Sequence, residues 1–292
     1  MFGAILGDII GSPYEFDRNN HKSTDFPLFS DKSRFTDDTV MTCAVAQALM
    51  ETAGQRDEQI QQRLTACMQT LGRAYPYAGY GGRFARWLTE ESPRPYNSWG
   101  NGSAMRVSAV GLLYGTMAET LHMAELTAAV THNHPDGIKG AQAIAAAMYL
   151  IRAGAPKQRM AAYITGHFGY DLQRPLDVLR AECVMDVSCR GTVPIALRAF
   201  LEGNDFEQVV RMAVSVGGDS DTIACMAGAV ASCRYDIPEN ILEEGRKRLT
   251  EPLEDICERF LKYLKENARL PRESWQSLTE DAASGTGEDA RI

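Results

Sequence analysis

The chain has 292 residues, 45% of them hydrophobic and 23% charged, with a formal net charge of −8. That is long enough to bury a large core and too acidic for general binding to nucleic acid or an anionic membrane, although a local basic pocket can still hold phosphates. No long Pro/Gly/Ser linker divides it, so one compact domain is expected over 1–275, and the polar stretch 276–292 has too little apolar surface to order itself. The seven Cys form no C-x-x-C pair and fall mostly within apolar helical patterns, which reads as reduced core residues. Met1–Leu6 carries no basic segment and no apolar run reaches membrane-spanning length, so a cytoplasmic chain is expected, with a monomer as the default.

Apolar residues recur three and four apart and alternating β-branched runs are almost missing, so the predicted fold class is all-α, a multi-helix orthogonal bundle. In Gly7-Asp8-Ile9-Ile10-Gly11-Ser12-Pro13-Tyr14-Glu15, Gly and Pro end a short apolar helix. Glu15 is then loop-borne, either a solvated acid or a general acid or base beside a cleft, and Asp8 reads as a buried polar brace. The segment Lys22–Phe29 is a candidate lid. Phe35-Thr36-Asp37-Asp38-Thr39 opens a helix over 38–53, whose stripe of Val40, Cys43, Ala44, Ala48 and Leu49 stops at Gly54. Adjacent residues within a helix do not share a face, so Asp37 and Asp38 can converge only where the chain enters it. Ile60, Leu64, Met68 and Leu71 continue the period. The cluster Gly79-Tyr80-Gly81-Gly82-Arg83 reads first as a turn.

Further helices are predicted at 103–114, 118–130, 137–153, 157–168, 193–201, 206–215, 221–233 and 254–267, with Thr192-Val193-Pro194 as a helix start. Gly217-Gly218-Asp219-Ser220-Asp221-Thr222 stands just before the seventh of these. Each acidic motif, taken alone, suits an N-cap and a helix dipole as well as a metal. Together they offer carboxylates and hydroxyls, hard oxygen ligands that suit Mg²⁺ or Mn²⁺ better than Zn²⁺. An EF-hand does not fit, because the Gly and the closing Glu of that loop are missing.

These blocks resemble the ADP-ribosylglycohydrolase family: G-D-x-x-G-x-x-Y-E, F-T-D-D-T-x-M and G-G-D-S-D-T all stand in order between Met1 and about Ser232. The resemblance implies an all-helical fold with a dinuclear metal site in a central cleft. Thr36, Asp37, Asp38, Asp219, Asp221 and Thr222 would be ligands to two divalent cations, Mg²⁺ or Mn²⁺. Asn97-Ser98-Trp99-Gly100-Asn101-Gly102-Ser103-Ala104-Met105-Arg106 is similar to the family's G-N-G-x-A-M-R block and implies that Ser98, Trp99, Gly100, Asn101 and Gly102 bind ADP-ribose. Glycines there admit a pyrophosphate to backbone N–H groups, a helix start at Ser103 adds dipole charge, and Trp99 can stack on a base or be an ordinary turn aromatic. In Thr131-His132-Asn133-His134-Pro135 the resemblance places His132 at the ligand and leaves His134 as a loop residue.

The implied function is metal-dependent hydrolysis of the C1″ bond between the distal ribose of ADP-ribose and an acceptor, a protein side chain or a small molecule, with Glu15 handling the proton. Two rivals remain open at this point, a dinuclear-metal phosphoesterase on nucleotide-like substrates and a noncatalytic ADP-ribose-binding or structural protein.

Overall fold

In the computed structural model, which describes residues 1–15 and 20–278, the described residues form α-helices and no named strand. The helices are α1 (Phe2–Gly11), α2 (Asp37–Glu51), α3 (Asp57–Ala74), α4 (Gly82–Trp87), α5 (Gly102–Met105), α6 (Ser108–Leu113), α7 (Met117–Ala129) and α8 (Pro135–Arg152), followed by α9 (Lys157–Phe168), α10 (Leu176–Glu182), α11 (Cys189–Glu202), α12 (Phe206–Val214), α13 (Ser220–Ala231), α14 (Glu239–Arg246) and α15 (Glu251–Asn267). Every residue of α1 and α13 is buried, so neither has a solvent face, and both run through the middle of the core. The amphipathic α12 and α14 pack against them and α3 and α15 pack against α2, apolar side inward.

The closeness of α1 and α13 has a sequence cause. Gly3, Gly7 and Gly11 recur every fourth residue and so share one face. A Cβ on Gly7 would lie 2.1 Å from the Ala224 carbonyl oxygen, and one on Gly11 would lie 2.5 Å from the Cα of Asp221. The two backbones therefore touch directly, and the last turn of α1 meets the first turn of α13. That contact carries Asp8 to Asp221.

At three places where structure and sequence expectation differ, a polar group is the reason. The helix expected over 103–114 is split into α5 and α6 at Arg106, whose buried guanidinium turns inward and donates to the Thr127 carbonyl and to Thr131 Oγ1 at 2.9 Å. Helix α11 starts at Cys189, ahead of Val193, because Ser188 caps it by accepting from the Gly191 N–H at 2.9 Å, which leaves Pro194 inside the helix. His134 is also a cap and not a plain loop residue: its side chain accepts from the Asp136 N–H at the start of α8.

The segment Lys22–Phe29 is tied down. Lys22 Nζ donates to the carbonyls of Cys183 and Val216, Arg211 donates to those of Thr24 and Phe26, and Phe26 is buried beneath the Arg211 guanidinium. These contacts dock the candidate lid against Cys183, Val216 and Arg211, and none of its residues lines the cavity onto which Glu15 opens. Residues 275–278 are helical, and the rest of the tail expected to be disordered lies outside the described residues. No helix of the described residues is long and apolar enough to cross a membrane.

Candidate active site

Asp8 is the brace on which the site is built. Its Oδ2 accepts from the Thr36 N–H at 2.9 Å, the Thr39 N–H at 3.1 Å and Thr39 Oγ1 at 2.5 Å, while Oδ1 accepts from Thr36 Oγ1 at 2.8 Å. Its lone pairs are thereby spent on the entry to α2, and Asp8 fixes that entry. Thr36, the N-cap, has one hydroxyl hydrogen, and the shorter contact gives it to Asp8. Asp37 and Asp38 follow in the first turn, Asp37 toward a cavity and Asp38 into the interior.

The facing half comes from α13. Gly217 and Gly218 hold φ of 75° and 66°, left-handed values that side chains resist, so the turn needs both glycines. Asn20 locks it: Oδ1 accepts from the Gly218 N–H at 2.9 Å and Nδ2 donates to the Cys183 carbonyl at 2.9 Å. From this turn Asp219 accepts from Asn101 Nδ2 at 2.6 Å, Asp221 accepts from the Thr222 N–H, and Thr222 Oγ1 donates to Asp38 Oδ2 at 3.2 Å. The two motifs, far apart in sequence, thus meet side chain to side chain.

Carboxylate oxygens of Asp8, Asp38 and Asp221 lie within 4.8 Å of one another, as do those of Glu15, Asp219 and Asp221. Asp221 belongs to both groups. Asp37 belongs to neither, although it stands close enough to Asp8, Glu15 and Asp219 for their charges to act on it. Among the described residues no ion pair includes any of these acids.

Burial and mutual repulsion push their protons on. Burial raises Asp8 to about 6, against its four hydrogen bonds. Burial raises Glu15 to about 7, partly offset by a hydrogen bond with Asp221. Asp37 rises to about 8 through burial and then the neighbouring acids. Asp38 and Asp221 are held well above the usual carboxylate range for the same reasons, and Asp219 is raised by burial.

The decisive detail is Asp38 Oδ1, a buried carboxylate oxygen without a hydrogen-bond partner. Leaving such an atom bare in a folded core is costly unless something outside the chain satisfies it. The carboxylates of Asp8 and Asp221 beside it are oxygen donors matched to a hard divalent cation, and the Cys225 thiol that also neighbours Asp38 is kept protonated by burial. The residues present therefore fit the metal that the motifs imply.

Glu15, Asp37, Asp219 and Thr222 open onto a cavity of about 370 Å³. Ser98, Trp99, Gly100, Asn101, Gly102 and His132 line its wall, so the structure brings these to the same place as the acids. Asn101 is turned toward Asp219 by its hydrogen bond, which gives it a bracing role alongside any ligand contact. Trp99 is half-exposed at the rim. Helix α5 has a single turn, so it supplies little of the dipole expected from a helix starting at Ser103. The cavity is also lined by Gly79, Gly81, Gly82 and Arg83, so this cluster is more than the plain turn its sequence suggests. The signal was available there: open glycines beside an arginine are suited to an anion, and a Cβ on Gly79 would stand 3.3 Å from Asp37 Oδ1. Arg106, which closes the G-N-G-x-A-M-R block but is not among the residues implied to bind ADP-ribose, completes the lining with Phe84, Tyr96, Met105 and Val187.

The family model described as ADP-ribosylglycohydrolase matches residues 1–270. The chain belongs to the ADP-ribosylglycohydrolase family. Among its relatives, the ADP-ribosylhydrolase ARH3 of Mus musculus is 25% identical, the alignment covering 89% of this chain and 86% of that protein. The Homo sapiens ARH3 is 26% identical over 82% of this chain and 86% of its own length. The ADP-ribosylarginine hydrolase Tri1 of Pseudomonas putida (strain GB-1) is 24% identical over 81% and 70%. A solved structure described as an ADP-ribosylglycohydrolase-related protein complex superposes with a TM-score of 0.62 at 23% identity, covering 89% of this chain and 95% of that one, and shows the shared all-helical fold. This glycohydrolase is an enzyme of glycosidic-bond hydrolysis.

Proposed function

We propose that this glycohydrolase depends on two divalent cations, Mg²⁺ or Mn²⁺, and releases ADP-ribose from an ADP-ribosylated acceptor by cleaving the C1″ bond of the distal ribose. The observation that carries the reading is the bare, buried Asp38 Oδ1 in a carboxylate cluster that shares Asp221 with a second group, whose members Glu15 and Asp219 line the cavity. Asp37, Asp38, Asp219 and Asp221, with the hydroxyls of Thr36 and Thr222, would hold the cations. Bound there, they would supply positive charge to orient ribose hydroxyls and activate water.

The chain's own groups do the rest. Glu15 lines the cavity beside Asp219 and Asp221, and with its carboxyl raised to about 7 it can hold or release a proton near neutral pH, as a general acid or base requires. Charge of oxocarbenium type at C1″ would develop above a floor of acids, which favours it. The Gly100–Gly102 turn lines the wall; the N–H groups of Gly100 and Asn101 are taken by Ser98 Oγ and the Val187 carbonyl, which leaves that of Gly102 to approach a pyrophosphate. Relatives named for arginine linkage and for ADP-ribosyl hydrolysis in general stand at nearly equal identity, so the reading is anchored at the ADP-ribose end.

The test is release of free ADP-ribose from arginine-linked, serine-linked and O-acetyl substrates, with Mg²⁺ or Mn²⁺, by wild type, Glu15→Gln and Asp219→Ala. The expected result is release from at least one substrate. Glu15→Gln should lower kcat by roughly 10²- to 10⁴-fold, the usual worth of a general acid or base, with ADP-ribose binding retained. Phosphate release without ADP-ribose would point instead to a phosphoesterase. Tight binding without turnover on every substrate would point to a binding protein.

A further inference from the structure

His132 lies at the wall of the cavity, buried, with Nε2 beside the Gly100–Gly102 turn: a Cβ on Gly102 would stand 3.2 Å from it. Among the described residues Nε2 has no hydrogen-bond partner, whereas Nδ1 lies 2.7 Å from Thr131 Oγ1. A histidine in this position can present either an N–H or a lone pair to a ligand. Which one it presents is decided behind the ring.

Thr131 Oγ1 has a second neighbour. Arg106 Nη2 lies 2.9 Å from it, and a guanidinium nitrogen only donates. Thr131 Oγ1 therefore accepts from Arg106 and keeps its own hydrogen to give away. Thr131 is fully buried, and the one other group in hydrogen-bond contact with its hydroxyl is His132 Nδ1. A buried hydroxyl hydrogen left without an acceptor is disfavoured, so it goes to Nδ1. Nδ1 is then the unprotonated nitrogen and Nε2 carries the hydrogen.

We propose that Arg106 and Thr131 are positioning residues that fix His132 as the Nε2–H tautomer, so that His132 offers the cavity a neutral hydrogen-bond donor aimed at an acceptor oxygen of the ligand. Burial and the adjacent Arg106 charge both hold the ring well below its ordinary range, so the ring stays uncharged at neutral pH. The relay rests on the reading that the cavity holds ADP-ribose, whose diphosphate and ribose oxygens are acceptors of the required kind. It also gives a role to a buried arginine that pairs with no carboxylate: Nη2 donates to the Thr127 carbonyl and to Thr131, while the buried Nε has no hydrogen-bond partner among the described residues.

The tautomer can be read directly. Long-range ¹H–¹⁵N correlation spectra of ¹⁵N-histidine-labelled full-length protein at pH 7 distinguish protonated from unprotonated ring nitrogens, and the signals lost in His132→Gln assign the residue. The expected wild-type pattern is an unprotonated Nδ1 and a protonated Nε2. Thr131→Val, nearly isosteric, should shift His132 toward a mixture of tautomers and weaken ADP-ribose binding about tenfold, the range for losing a hydrogen bond to a charged ligand. Thr131→Ser should restore both. Circular dichroism checks that each variant is folded, and the wild-type spectrum stands even if Thr131→Val does not fold. A protonated Nδ1 in the wild type overturns the proposal, as does a Thr131→Val protein that keeps both the tautomer and the affinity. If wild type shows the expected tautomer but binds no ADP-ribose, the functional reading fails and the relay's ligand claim fails with it, while the tautomer assignment stands.

Discussion

Asp38 shows how one residue trades stability for function. Its Oδ1 is buried and bare, and its Oδ2 receives a hydrogen bond from Thr222 at 3.2 Å. In the metal-free protein that acid is a liability, because burial and the charges of Asp8, Asp37 and Asp219 oppose its ionisation. Asp38→Asn keeps the shape and removes the charge. We expect metal affinity to fall at least about a hundredfold, while the melting temperature of the metal-free variant at pH 8 equals or exceeds that of wild type. A large loss of metal-free stability, read by calorimetry, would contradict the description of Asp38 as uncompensated. Asp8 is the opposite case, an acid of the same cluster whose oxygens are fully committed to Thr36 and Thr39. At this scale the sequence was legible for identities and weak for roles. The acidic motifs announced hard oxygen chemistry, and the apolar neighbours of Asp8 marked it as a brace, yet nothing in the letters marks Asp38 as bare, because its surroundings are set by residues as far as 184 positions away.

Among the elements, the pairing of α1 with α13 decides whether the site exists. The glycines of α1 let it lie directly on α13, and a methyl at Gly7 would meet the Ala224 backbone, which has no rotamer to retreat into. Gly7→Ala should destabilise the protein by roughly 1–3 kcal/mol or more, the cost of overpacking a core, with Mn²⁺ affinity falling alongside. Urea unfolding measures it, and a midpoint equal to wild type would mean that the helices are not backed against each other here. The Gly-x-x-x-Gly spacing was visible in the sequence, but helical periodicity looks for apolar stripes and passes over small ones. The helices missed by the sequence reading, α4, α10 and α14, are short, and only one or two residues of each are buried. Their apolar pattern is too brief to stand out. The long helices α8 and α9 were legible because their periodic burial extends over several turns.

At the scale of the whole molecule, the clustered acids couple stability to pH. Asp8, Glu15 and Asp37 sit at about 6, 7 and 8 in the native state. The unfolded chain releases the same protons near its ordinary value of about 4. Between about pH 4 and about pH 8 the native state therefore binds more protons than the unfolded one, so metal-free stability falls as pH rises through that window. Binding a cation displaces these protons, so its affinity rises with pH. The gain in melting temperature from saturating Mn²⁺ should accordingly be larger at pH 8 than at pH 6. An equal gain at both values would show that the acids are ionised before the metal arrives.

The central claim is that the acidic floor, loaded with divalent cations, performs the hydrolysis. Its most direct test is ADP-ribose release by protein stripped with a chelator and then titrated with Mn²⁺ on whichever linked substrate the wild type cleaves. Release should be lost on stripping, return with added metal and saturate near two ions per chain. Release that survives complete removal of metal at its original rate would contradict the account.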